Sequence, residues 1–71
     1  MSRKPEVKVL TSENETTVML DGRMIGCAWQ SLSDHWWLRI QNEDPQRVEN
    51  RNEAWKQLMK LIQRVARGEI R

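Results

Sequence analysis

The dipeptide Asp21-Gly22 lies between two short apolar runs, within the stretch MLDGRMIGCAW. An Asp-Gly pair flanked by alternating apolar residues is the strongest short-range signal of a β-hairpin. A type I′ turn needs positive φ at both central residues, and Asp and Gly tolerate it. Such a turn places Leu20 opposite Arg23 and thereby sets the register of the ribbon. The sequence therefore predicts two antiparallel strands joined at this turn.

This register divides the side chains of the hairpin between two faces, because opposed residues share a face and strand side chains alternate. The face predicted to join the core carries Thr16, Val18, Leu20, Arg23, Ile25, Cys27 and Trp29. The other face is smaller and more polar, and it carries Thr17, Met19, Met24, Gly26, Ala28 and Gln30. We therefore expect one face of the hairpin to be buried and the other to be partly exposed to solvent.

A third strand is predicted in HWWLRIQ, after the turn at residues 31–34. Alternation directs Trp36, Leu38 and Ile40 to the core. The opposite side of this strand carries His35, Trp37, Arg39 and Gln41. Ahead of the hairpin, EVKVL is interpreted either as a further strand at one edge or as a loosely attached arm, since the TSENET that follows is polar.

The C-terminal segment is predicted to be an α-helix, because its apolar residues recur at the i, i+3, i+4, i+7 spacing of one stripe. This stripe consists of Ala54, Trp55, Leu58, Leu61, Ile62 and Val65. Two starts remain open: Asp44-Pro45 offers an N-cap followed by proline, and Asn50 with Glu53 offers a capping-box arrangement. Gly68 predicts the end of the helix.

These elements together predict an α+β fold, an antiparallel three- or four-stranded β-meander with one C-terminal α-helix packed on one face (β-β-β-α). The 71 residues allow one small domain. We expect a flexible N-terminus at 1–5, the antiparallel sheet at 6–41 and a helical segment at 44–68. With no Phe or Tyr in the chain, the large buried surfaces must come from Trp. The predicted core comprises Val18, Leu20, Ile25, Trp29, Trp36, Leu38, Ile40, Trp55, Leu58, Ile62 and Val65.

The single cysteine and the single histidine restrict the chemistry available to the chain. One cysteine permits no internal disulfide, and one Cys with one His cannot build a Cys-rich zinc site. Cys27 is predicted on the core face and His35 on the other, so the two are not expected to form a nucleophile-base pair. We therefore expect no catalysis, no metal and no cofactor.

No apolar run approaches the length of a membrane span, and no signal-peptide pattern opens the chain. The expected compartment is therefore the cytoplasm, with no membrane partner.

The net charge of +2 is small, but residues 44–71 carry seven Lys/Arg against four Asp/Glu. Four of these basic residues lie on one side of the predicted helix, namely Lys56, Lys60, Arg64 and Arg67. A run of this kind is either a solvated helix face or a set of phosphate contacts.

The stretches VMLDGRMIGCAW, HWWLRI and NRNEAWKQLMKLI, in the order strand-strand-strand-helix, resemble small DNA-binding modules made of a three-stranded sheet and one helix. These are the amino-terminal arm-binding domains of tyrosine recombinases and the AP2-type domains. The resemblance implies that the sheet face not covered by the helix enters the major groove and contacts bases and phosphates. Those families carry more Arg and Lys on their strands, where this chain offers Arg39, Lys8 and Arg23.

Two functions of different class follow from these patterns. The first is a small nucleic-acid-binding module, with DNA or RNA as its partner. Its predicted contact residues are Arg23, His35, Trp37, Arg39, Lys56, Lys60, Arg64 and Arg67. The second is a protein-interaction or homodimerisation module, in which Trp37, Met19 and Met24 form the contact patch, because Met adapts to partners and Trp anchors them.

Overall fold

The computed structural model describes residues 5–70 of the chain as a five-stranded antiparallel sheet and one α-helix. The elements are β1 (Val7–Thr11), β2 (Glu15–Leu20), β3 (Arg23–Gln30), β4 (Trp36–Ile40), β5 (Gln46–Val48) and α1 (Arg51–Ala66). The strands lie side by side in chain order. The predicted α+β meander with a C-terminal helix is confirmed, with more strands than expected. The predicted flexible N-terminus lies outside the described residues, except for Pro5.

The hairpin between β2 and β3 forms at the predicted turn. Asp21 has φ 49° and Gly22 has φ 83°, and Leu20 opposes Arg23, as the type I′ turn requires. The same turn holds β1 in place. The backbone N–H of Glu6 donates to Asp21 Oδ1 at 2.9 Å, and the N–H of Asp21 donates to the Glu6 carbonyl at 2.9 Å. The segment EVKVL therefore belongs to an edge strand and not to a loose arm.

A β-bulge in β3 changes the predicted division of faces. Val18 opposes Gly26 and Met19 opposes Met24, so that Ile25 is an extra residue with no partner on β2. Ile25 and Gly26 are both buried on the helix side. Every later residue of β3 is consequently turned over relative to the regular alternation.

The faces predicted for β3 beyond the bulge are therefore wrong at five positions. Ala28 is 1% exposed in the core, where the regular alternation predicted an open side chain. Cys27 and Trp29 lie on the face away from the helix, because they oppose Thr17 and Glu15 of β2. Gly26 and Gln30 lie on the helix side, opposite Ile40 and Trp36 of β4.

The close approach of the helix explains the glycine in β3. A Cβ placed on Gly26 would lie 2.6 Å from Leu61 Cδ2 and 3.0 Å from Leu58 Cδ2. Only a residue without a side chain lets these two leucines reach the sheet backbone without a shift. Leu58 and Leu61 are each 1% exposed, so α1 is docked directly over the bulge.

The helix begins later than the predicted segment 44–68. Asn50 is the N-cap, and its side chain accepts a hydrogen bond from the Glu53 N–H at 2.9 Å, which confirms the second of the two proposed starts. The Asp44-Pro45 start is wrong, because Gln46–Val48 forms β5 against β4. A strand of three residues is too short to show a period of two.

The helix ends as its sequence predicts. Gly68 has φ 79°, its N–H donates to the Val65 carbonyl, and the Glu69 N–H donates to the Arg64 carbonyl. These two hydrogen bonds form a Schellman motif, which satisfies carbonyls of the last turn. No helix in the described part of the chain is long and apolar enough to cross a membrane.

One hydrophobic core lies between α1 and the sheet. Its buried apolar residues are Val18, Leu20, Ile25, Ala28, Trp36, Leu38, Ala54, Leu58, Leu61, Val65 and Ile70. The predicted core positions Ile40 and Ile62 are partly buried against it. Trp29 and Trp55 are half-buried and do not belong to this core, so the prediction that three tryptophans are core is wrong for two of them. Ala54, 0% exposed, points at the sheet in place of Trp55, about 100° further around the helix.

Candidate functional site

The sheet face opposite the helix carries side chains that no helix or strand in residues 5–70 covers. This face is named the open face. Its residues are Lys8, Leu10, Glu15, Thr17, Met19, Met24, Cys27, Trp29, Trp37, Arg39 and Arg47. Each one opposes another member of the set, and the buried core residues of β2 and β4 alternate with them.

Two tryptophans stand side by side at the centre of the open face. Trp29 on β3 directly opposes Trp37 on β4, and both residues are half-buried. Directly opposed side chains have Cβ atoms about 5 Å apart, so these two indoles are neighbours on the open face. This pair, Trp29 and Trp37, is named the tryptophan pair.

Charged residues stand at both ends of the row that contains the tryptophan pair. Trp37 opposes Arg47 on β5, and Trp29 opposes Glu15 on β2. The cation therefore lies beside one indole and the carboxylate beside the other. Glu15 Oε1 accepts a hydrogen bond from the Thr17 hydroxyl at 3.3 Å, which keeps the carboxylate on its own strand.

The neighbouring row carries a second arginine. Arg39 opposes Cys27, and Cys27 opposes Thr17, whose Oγ1 lies 3.6 Å from the cysteine Sγ. Arg39 and Arg47 are exposed, and neither makes an ion pair with any residue between Pro5 and Ile70. Two arginines that are unpaired within the described part of the chain thus lie next to the tryptophan pair. Lys8, further along the face, is paired with Glu6 at 3.3 Å.

The four basic residues of the helix lie away from the open face. Lys56, Lys60 and Arg64 are exposed on α1 and Arg67 is exposed as its C-cap, and the apolar side of α1 packs against the other face of the sheet. Arg64 and Arg67 also share a counter-ion, because their Nε atoms lie 3.8 Å and 2.6 Å from the Glu69 carboxylate. The structure does not bring this set together with Trp37 and Arg39.

Comparison with protein-family models, with curated proteins and with solved structures gave no match to this chain. The function is therefore inferred from the side chains of the open face.

Two other predicted contact residues also lie apart from the tryptophan pair. His35 is exposed in the loop just before β4 and does not belong to that strand. Arg23 opposes Leu20 and so lies on the helix side at the far end of the sheet, where it lines a hollow with Met24 and Gln41. Of the predicted sheet residues, Trp37 and Arg39 lie together on the open face.

Trp29 and Arg47 are the members of this site that the sequence analysis missed. Regular alternation, which does not include the bulge, predicts Trp29 in the core, and the predicted helical segment 44–68 includes Arg47. A signal for the first was present, since an isolated glycine inside a strand pattern, here Gly26, is typical of a bulge.

Cys27 and His35 are separated, although for a different reason from the predicted one. Cys27 lies on the open face opposite Arg39, and His35 lies four residues before Arg39, about 13 Å along the strand direction. Among residues 5–70, no three His, Cys, Asp or Glu side chains are grouped so that they could hold a metal ion.

Proposed function

We propose that the protein binds single-stranded nucleic acid on its open face, with the tryptophan pair stacking on bases and Arg39 and Arg47 contacting phosphates. The observation that carries this proposal is the direct opposition of Trp29 and Trp37 beside two arginines that have no ion-pair partner among residues 5–70. Aromatic side chains on an open sheet give every base a π-face to stack on, and flanking cations follow the backbone.

The aromatic surface and the charges support the same ligand. Base-aromatic stacking contributes about 1–3 kcal/mol per base, which makes a two-tryptophan platform the main source of affinity. The two arginines give forked donors that fit phosphate oxygens. A purely apolar partner would leave both guanidinium groups without an acceptor, whereas a polyanion supplies one to each on the Trp37 side of the pair, away from Glu15.

The width of the sheet favours a single strand over a duplex. Five strands at about 4.8 Å spacing separate the outer strand axes by about 19 Å, whereas the major groove of B-DNA is about 12 Å wide. The tryptophan pair lies on β3 and β4, inside this width. The whole face is therefore too wide to enter the groove, while an unpaired strand can lay its bases directly on both indoles.

Replacing both open-face arginines should flatten the salt dependence of binding. Each phosphate contact contributes about 0.7 to the slope of log K against log salt for single strands, so Arg39→Gln with Arg47→Gln should reduce the slope by about 1.4. The measurement is fluorescence anisotropy of a labelled mixed-sequence oligonucleotide, single-stranded and then as a duplex, between about 50 and 200 mM salt.

A matched control removes the same charge from the other side of the molecule. Lys56→Gln with Lys60→Gln deletes two exposed cations of α1 and should leave the slope within about 0.3 of the parent value. An equal loss of slope in both double variants would contradict the assignment to the open face. Tighter binding of the duplex than of the single strand would contradict the single-stranded ligand.

The protein-interaction alternative uses the same face at its other end. Met19 opposes Met24 there, and Met24 is 47% exposed. An apolar interface of this kind should hold or tighten as salt rises, opposite to phosphate binding.

The cytoplasm is our proposed compartment, because Cys27 has no second cysteine to pair with.

A further inference from the structure

We propose that β1 pairs with β1 of a second copy of this chain, in antiparallel register about Val9, to form a continuous ten-stranded sheet. This inference concerns the edge of the sheet and is independent of the proposed nucleic-acid binding. Among residues 5–70, β1 pairs with β2 alone and is therefore an edge strand, and Val9 and Leu10 are 41% and 59% exposed.

The hydrogen bonds at the two ends of β1 show which backbone groups point outward. Glu6 and Ser12 both bond inward, to Asp21 and Glu15 respectively. Because inward and outward residues alternate along an antiparallel strand, Val7, Val9 and Thr11 direct their N–H and C=O groups away from the sheet. These groups form an open ladder that a further strand can complete.

One register satisfies this ladder with a second copy of the same strand. A two-fold axis at Val9 pairs Val9 with the partner's Val9 and Val7 with the partner's Thr11, so every outward residue is matched. An axis at Val7 instead sets Val9 against the partner's Pro5, which has no N–H. An axis at Thr11 sets Val9 against the partner's Glu13, which lies in the turn between β1 and β2.

The side chains of β1 fit this register without opposing like charges. Lys8 faces the partner's Leu10, so its methylene stem can cover an exposed leucine. The Lys8 ammonium already has its counter-ion in Glu6 at 3.3 Å. The two copies of Val9 meet at the axis and cover each other, and the exposed apolar residues of the strand are those that the pairing would bury.

The opposite edge of the sheet offers no comparable ladder. β5 has three residues and follows Pro45, and Gln46 and Val48 face Leu38 and Trp36 of β4. Pairing at β1 also keeps the open faces of both copies on one side, because the two-fold axis is perpendicular to the sheet. The two β3 strands would then lie about 24 Å apart, five strand spacings, on one surface.

A charge-exchange experiment at the axis tests this pairing. Val9 faces Val9 of the second copy, so Val9→Lys alone and Val9→Glu alone each set two like charges against each other and should be monomeric. Their equimolar mixture pairs opposite charges and should dimerise. Sedimentation velocity on the full chain is the measurement. It should extend from about 10 µM to about 1 mM, because so short an interface binds weakly.

Val9→Pro supplies a second variant that keeps the monomer folded. Proline lacks the backbone N–H, and the N–H of residue 9 points out of the sheet. The hydrogen bonds between β1 and β2 are therefore preserved, while those between the two copies are broken. We expect Val9→Pro to be monomeric and Val9→Thr to dimerise as the parent does. A parent chain that is monomeric at about 1 mM, or single Val9→Lys and Val9→Glu variants that associate like the parent, would overturn the proposal.

Discussion

Replacing Trp29 and Trp37 together by alanine is expected to reduce single-strand binding by about 2–6 kcal/mol, at about 1–3 kcal/mol for each lost base-aromatic contact. The lower end of this range is about thirtyfold in affinity, and the upper end removes detectable binding. Each single variant should lose about half of this free energy. Anisotropy titration of a labelled single strand measures the loss, and thermal melting checks that the variants remain folded.

Trp55→Ala is the matched control for this experiment. Trp55 is half-buried like the tryptophan pair, but it lies on α1, on the other side of the sheet. Trp55→Ala removes an indole of the same burial class as those of the tryptophan pair, but it removes no proposed contact with the nucleic acid. The affinity should therefore stay within about twofold of the parent value. Phe in place of Trp37 keeps a stacking face and should restore most of the affinity. If Trp55→Ala weakens binding as much as Trp37→Ala, the assignment of the site fails.

Leu58→Ala is expected to destabilise the fold by about 2–5 kcal/mol, because it opens a cavity where the helix meets the bulge. Leu58 is 1% exposed, and its Cδ2 lies 3.0 Å from where a Cβ on Gly26 would be. A domain of this size has about 5 kcal/mol of stability in total, so this variant should be partly or wholly unfolded at 25 °C.

Thermal and urea denaturation measure this effect, with Met59→Ala as the control. Met59 is the next residue of α1 and is 46% exposed, so its truncation should change the free energy of unfolding by about 0.5 kcal/mol or less. A Leu58→Ala protein that melts within a degree or two of the parent would show that α1 does not dock on the sheet as described.

The features that the sequence predicts well are the hairpin turn and the two ends of the helix. Positive φ at Asp21 and Gly22, the Gly68 stop and one of the two alternative helix starts, the Asn50 N-cap, each depend on a few adjacent residues, and each is present. The alternation of β4 was also predicted, since Trp36 and Leu38 are buried and Arg39 is exposed. These features need no knowledge of distant contacts.

The errors arose where a tertiary contact overrides a local period. Leu58 and Leu61 occupy the space that a side chain at position 26 would need, and the bulge beside Gly26 turns Cys27 and Trp29 to the open face. The assumption of strict alternation could not include this extra residue.

Two of the four residues of the candidate site, Trp37 and Arg39, could be predicted from the sequence, because they lie on a strand with regular alternation. Trp37 and Arg39 follow from β4 alone, and the alternation of that strand is regular. Their neighbours come from the bulged β3 and from the three-residue β5, which gave no periodic signal of its own.

The most direct test of the account is a map of backbone amide shifts during titration of the full chain with a short single-stranded oligonucleotide. We predict that the largest shifts fall on the open face, at Thr17, Cys27, Trp29, Trp37, Arg39 and Arg47, and that Lys56, Lys60 and Arg64 on α1 stay in place. Shifts concentrated on the helix, or no shifts at oligonucleotide concentrations of about 1 mM, where even millimolar affinity would be seen, would contradict it.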